Sequence, residues 1–276
     1  MKNLKMYFFS LLIILFFSCT DKDDKLVENV DSEMVAANMT ADYTIELDFN
    51  AGIDIANNNS SYSNRSTNEV SVVPTCATIT VNNTTPGVFP KIFTIDFGTG
   101  CTQNGLTRSG ILTITLSNYV LSNGSTMTIE RNNYFVNSRK IEGTVMYTNE
   151  TTNVAIPQWT RTVTNGQITF PNGAVFTHFG TRTVKQTTGV STVILGDNIY
   201  EIISGTHTVN RPNGTTLTST IVQPLIKKYA CNYISQGQLN LQGTVLNGIL
   251  DYGNNDCDNL ATYFHNPNGQ TYNVNL

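Results

Sequence analysis

Residues 159–179 read WTRTVTNGQITFPNGAVFTHF, and their pattern decides the fold. Threonines alternate with larger residues through Trp159–Thr164. β-Branched and aromatic residues fill Gln167–Phe170 and Val175–Phe179. In an extended chain successive side chains point to opposite faces, so such runs read as strands with one face inward. Asn-Gly stands between the runs at 165–166 and 172–173, and both residues tolerate the positive φ of a tight hairpin turn. Further runs follow the same grammar at Ala77–Val81, Ile92–Phe97, Ile111–Leu116, Thr126–Glu130, Lys140–Thr148, Thr192–Leu195, Ile199–Ile203, Thr215–Gln223, Gln238–Gln242, Val245–Tyr252 and Tyr272–Asn275. Asn-Gly recurs at 104–105, 123–124, 213–214, 247–248 and 268–269. No long amphipathic helix interrupts them. The expectation is an all-β antiparallel meander, forming either a β-sandwich or a strongly curved, partly open barrel-like sheet, since both use this alternation and turn chemistry.

Upstream the grammar changes. Residues 20–40 and 57–69 (NNNSSYSNRSTNE) are polar, and both read as linkers. Between them, in TADYTIELDFNAGIDIA (40–56), Tyr43, Ile45, Leu47 and Phe49 alternate as in a strand, while a helix from Ala36 to Ala56 fits nearly as well. The expected organisation is a signal peptide at 1–18, a lipidated tether and polar linker at 19–69 with a short helix or strand near 41–56, and an all-β domain at 70–276.

The N-terminus carries Lys2 and Lys5, the apolar run Met6–Phe17, then Ser18 and Cys19. At about 12 residues the run is shorter than the ~20 that a membrane-spanning helix needs, so it reads as a signal peptide. The stretch LFFSC resembles the lipobox of bacterial lipoproteins. That resemblance implies cleavage before Cys19, lipidation of its sulfur and a membrane partner reached through the lipid anchor. The acidic cluster of Asp21, Asp23 and Asp24 looks like the surface-export signal of Bacteroidota lipoproteins, which implies an outer-membrane anchor with the body at the cell surface rather than on the periplasmic face. A plain solvated tether fits the same charges.

Without residues 1–18 the chain keeps 14 basic and 20 acidic side chains, a net charge of −6. The basic residues are scattered, which argues against a nucleic-acid partner. Charged residues are only 13% of the chain, and Thr and Asn take their place, as suits solvent-facing strands and turns. Beyond Cys19, the cysteines are Cys76, Cys101, Cys231 and Cys257, an even number that favours disulfides in an oxidising compartment. Local pairing, Cys76–Cys101 and Cys231–Cys257, is preferred, each closure contributing about 3 kcal/mol. There is a faint internal echo as well. Each pair brackets strand, turn and returning strand, and the second strand ends in Ile95-Asp96-Phe97-Gly98 or Leu250-Asp251-Tyr252-Gly253. Paired cysteines, this repeated Asp-aromatic-Gly and a Thr/Asn-rich β chain behind a lipobox look like uncharacterised flavobacterial-type lipoproteins of the Bacteroidota. The resemblance covers residues 70–260 and carries no activity.

No GxSxG, HExxH or glycine-rich phosphate loop is present, and His178, His207 and His265 are far apart in sequence. His178 and His207, beside threonines in or at the ends of strands, read as exposed or half-buried sheet residues rather than ligands. Asp96 and Asp251 occupy matching strand ends, where a carboxylate ordinarily bonds the turn backbone. The loop 251–259, DYGNNDCDN, offers Asp251, Asp256 and Asp258 as weak ligands for a structural calcium ion, although the spacing is not that of an EF-hand. No other cofactor is indicated. Aromatics at Tyr119, Tyr134, Phe135, Tyr147, Trp159, Phe176, Phe179, Tyr229, Tyr233 and Tyr263 are candidates for stacking on a ligand, with Trp159 the first choice for a surface anchor. The functional expectation is a non-enzymatic envelope lipoprotein that binds an extracellular or envelope ligand. The alternatives are a structural or assembly component and, behind it, a carboxylate-dependent hydrolase.

Overall fold

The computed structural model describes residues 30–58 and 71–276. The signal peptide, Cys19 and the acidic cluster at 21–24 lie outside the described residues. One helix, α1 (Ser32–Asn58), precedes fourteen strands: β1 (Thr78–Val81), β2 (Lys91–Asp96), β3 (Cys101–Gln103), β4 (Leu106–Leu116), β5 (Thr126–Val136), β6 (Arg139–Asn149), β7 (Gln158–Thr169), β8 (Val175–Thr188), β9 (Ile199–Asn210), β10 (Thr216–Lys228), β11 (Gln236–Gly243), β12 (Asn247–Asn254), β13 (Leu260–His265) and β14 (Gln270–Asn275). Apart from β3, which pairs with β4, every strand lies beside its sequence neighbours in a single antiparallel sheet that runs from β1 to β14 without closing. The expected meander is therefore present as one strongly curved sheet.

The sheet curves around α1. The helix touches β5, β7, β9, β10 and β14, and from Ala37 to Ile55 every residue is buried. Asp31 starts the helix, its Oδ1 accepting the N–H of Met34 at 3.0 Å as an N-cap. Apolar residues at every second position point in all directions around a helix, because each step of two turns the side chain by roughly 200°. On a surface helix that would waste apolar area. Here no face meets solvent, so the alternation carries no penalty. The segment expected as tether and linker, with a short helix or strand near 41–56, thus holds a helix that is the central element of the core; the expected polar linker at 57–69 lies mostly outside the described residues.

A line of backbone irregularities lets the sheet bend. Pairing slips between Ser109 and Ile111, Glu130 and Tyr134, Glu142 and Thr144, and Val163 and Gly166 on four successive strands. Each bulge adds local bend and twist. Gly143 shows why glycine is needed: its φ is +99°, and a Cβ there would lie 2.5 Å from the Asn165 carbonyl oxygen of the next strand. Asn165-Gly166 is consequently a bulge inside β7 rather than the turn expected there, and Asn247-Gly248 opens β12. Asn-Gly does turn the chain at 104–105, 172–173, 213–214 and 268–269.

Both local disulfides form, Cys76–Cys101 and Cys231–Cys257. They tie the open ends of the β1–β2 and β11–β12 hairpins. Asp96 and Asp251 make the same local bond, each accepting the N–H two residues on, of Gly98 and Gly253, at 2.8 Å; Asp96 does so at the end of β2, whereas Asp251 lies inside β12, beside a slip in its pairing with β11, and not at the strand end expected for it.

Candidate functional site

The interior is an ion-pair cage. Arg161 and Arg182 are direct cross-strand partners on β7 and β8, both turned inward, and each meets an acid of α1 one turn from the other. Arg161 pairs with Glu46, and Arg182 with Asp42 at 2.6 Å. On another side of the helix Arg131 and Tyr134 hold Asp48 at 2.8 and 2.9 Å. Tyr252 Oη donates to Asp42 and Arg182 to Ser219 Oγ. Burial pushes the Glu46 and Asp48 carboxyls up from their ordinary values, against the pull of Arg161 and Arg131 respectively. Near the helix end Asp54 accepts from Ser71 Oγ and from the Val72 and Val73 N–H groups. Lys227, wholly buried, donates to the carbonyls of Lys228 and Cys231, and burial lowers its pKa to about 7. The space where a hollow barrel would hold a ligand is filled by α1 and its counter-charges.

Several expected site residues are placed differently. Trp159 is 1% exposed, wedged against Phe49 at 5.7 Å with its Nε1 donating to Val120 O at 3.3 Å, so it is a core residue and not a surface anchor. Its alternation phase is that of Val163, and both face α1. The histidines are likewise buried. His178 Nδ1 and His207 Nε2 share a hydrogen bond of 3.0 Å, while His178 Nε2 and His207 Nδ1 find no partner. Burial lowers the His178 pKa to about 3 and that of His207 well below its usual value. His265 bonds Tyr263 Oη at 3.0 Å.

Asp251, Asp256 and Asp258 do share one shallow recess, but Asp251 gives Oδ2 to Gln238 Nε2 and Oδ1 to the Gly253 N–H, and Asp258 Oδ1 accepts the Leu260 N–H. Among the described residues no group of three His, Cys, Asp or Glu could hold a metal ion. The three aspartates are not brought together as a calcium site.

The outer face of the sheet explains the threonine content. Thr162, Thr181, Thr206 and Thr220 stand side by side in register across β7 to β10, giving a neutral hydroxylated surface. Phe179 interrupts it. Tyr134, Tyr147, Trp159, Phe176, Tyr229 and Tyr263 are interior, whereas Phe179 is 52% exposed in the middle of β8. Beside it, Thr164 and Asn165 together oppose the one residue Phe179, because pairing steps from Val163↔Gly180 to Gly166↔His178. The two-for-one mismatch throws Asn165 into positive φ (+52°) and leaves a groove of about 680 Å³. Thr162, Thr164, Gln167, Thr177, Thr181 and Asn210 line its walls, and Gly166 and His178 lie in its floor. No Asp, Glu, Lys or Arg is among the lining residues.

The two ends of the molecule differ. At the end where α1 starts, Arg211 in the β9–β10 turn grips Asp31 and Glu33. At the other end, successive loops expose Val88, Tyr119, Leu121, Val154, Ile156, Val193 and Ile194. Comparison with protein-family models, curated proteins and solved structures gives no match to this chain.

Proposed function

We propose that the protein is a cell-envelope lipoprotein, anchored in the outer membrane through Cys19 and displayed at the cell surface, whose β body binds a ligand without transforming it. The observation that carries the reading is the filled interior. With α1 occupying the centre and Asp42, Glu46 and Asp48 committed to arginines, any ligand is met on the outer surface. Hydrolysis by paired carboxylates is the weaker reading, because Asp251 spends both oxygens inside the protein. The apolar loops at one end favour, second, an assembly component that docks end-on; a self-associating body in solution would bring that reading forward.

The test is protease shaving of intact cells of the native host. Wild type should be shaved. Cys19→Ala should leave the membrane fraction, and neutralising Asp21, Asp23 and Asp24 to Asn should protect the body from protease. A wild-type protein that stays membrane-bound yet protected overturns surface display.

A further inference from the structure

We infer that the groove over the β7–β8 bulge is a subsite for an uncharged carbohydrate, with Phe179 as the stacking platform and the side-chain amides of Asn165 and Asn210 as partners for sugar hydroxyls. The inference rests on the reading of the body as an outward-facing binding module and adds the place and chemistry of its ligand. A pyranose ring has an apolar C–H face bounded by hydroxyls that both donate and accept. Its complement is an aromatic face bounded by amides and hydroxyls, and that is what the groove presents.

Phe179 stands out on its own sheet face, 52% exposed among threonines, so a ring laid over it removes apolar surface that the protein leaves wet. Among the described residues, the side-chain amides of Asn165 and Asn210 make no internal hydrogen bond, whereas Gln167 is held by its donation to Glu142 Oε2 at 2.9 Å. A purely apolar ligand would bury those amides unpaired, at a cost. A phosphate, sulfate or uronate would find no cation in the lining, where burial keeps His178 neutral, and the Glu142 carboxylate behind Gln167 is already paired with Lys140 at 2.8 Å. Around 680 Å³ also falls within the ordinary range for small-ligand sites. The bulge has a part beyond bending the sheet: by setting two residues against one, it places Thr164 and Asn165, both exposed, in the groove lining beside Phe179.

The test uses the mature chain carrying Cys19→Ala for solubility, titrated calorimetrically with neutral oligosaccharides (hexamers of β-1,3-glucose, β-1,4-glucose, mannose and N-acetylglucosamine) and with polygalacturonate as the acidic control. Binding of at least one neutral hexamer is expected, weakened about tenfold or more by Phe179→Ala and retained by Phe179→Trp. Asn165→Gly, which keeps the positive φ, should weaken it by a smaller factor. Neutral-glycan binding that is indifferent to Phe179→Ala and Asn165→Gly overturns the groove and leaves the binding-module reading standing. Binding to polygalacturonate alone, or to none of the hexamers, overturns the carbohydrate assignment, while the shaving experiment decides surface display by itself.

Discussion

His178 and His207 sit inside the sheet as a neutral pair bonded to one another, near Arg131, Arg161 and Arg182, whose charges add to burial in keeping protons off. An unfolded chain has no such constraint, and its histidines protonate below about pH 6.5. Between that pH and about 3, where His178 titrates when folded, the unfolded state binds more protons, so stability falls as the pH falls. The slope is roughly 1.4 kcal/mol per pH unit for each histidine. Urea unfolding at pH 7.5, 6.5, 5.5 and 5.0 should show the decline, and the double variant His178→Gln/His207→Gln should flatten it. An unchanged slope in that variant would exclude the pair as its source.

Single positions were legible in part. The bond from Asp96 and Asp251 to the backbone two residues on follows from the Asp-aromatic-Gly pattern, although Asp251 lies inside β12 rather than at its end, and the disulfide partners follow from locality. Phe179 lies three residues from Phe176, so strand alternation puts the two rings on opposite faces, and β8 keeps that alternation through both. The local sequence did not say which of the two faces was the inner one; the helix packed inside the sheet decides that.

At the scale of elements, α1 and the sheet hold each other by charge. Cross-strand neighbours of like sign repel, so Arg161 beside Arg182 is tolerable only while Glu46 and Asp42 sit between them and the rest of the core. Breaking one partner of a buried pair costs about 3–5 kcal/mol, whereas replacing both by apolar groups is often close to neutral. Arg161→Met should therefore destabilise strongly, and adding Glu46→Leu should restore most of the loss, as measured by a double-mutant cycle in urea. Two additive losses would mean that the contact holds little coupling. The helix was ambiguous in the sequence because amphipathic pattern presumes a wet side, and α1 has none. A signal was nonetheless present on the strands. Arg161 shares its phase with Trp159 and Val163, and Lys227 with Leu225 and Tyr229. Cations in core phase demand acids inside, and 42–54 is the acid-rich segment able to supply them.

At the scale of the whole molecule, the sheet has no interior of its own without the helix. A chain beginning at Ser71 would leave Trp159 without Phe49 and three arginines without counter-ions. It is expected to lose its cooperative unfolding transition, and its emission maximum, reporting the single tryptophan, should shift to the red. A blue-shifted, cooperative truncation product would show that the sheet closes on itself. Where α1 sits also sets an order in time. Synthesis delivers the helix before any of the described strands, and β14, one of the walls it touches, after all the others. The innermost element is thus made before every wall that shelters it. Until those walls exist Asp42, Glu46 and Asp48 have no arginine to pair with, and ionised carboxylates in water oppose the association of an otherwise apolar segment. The acids that lock the core are, in the unfinished chain, charges that disfavour its aggregation.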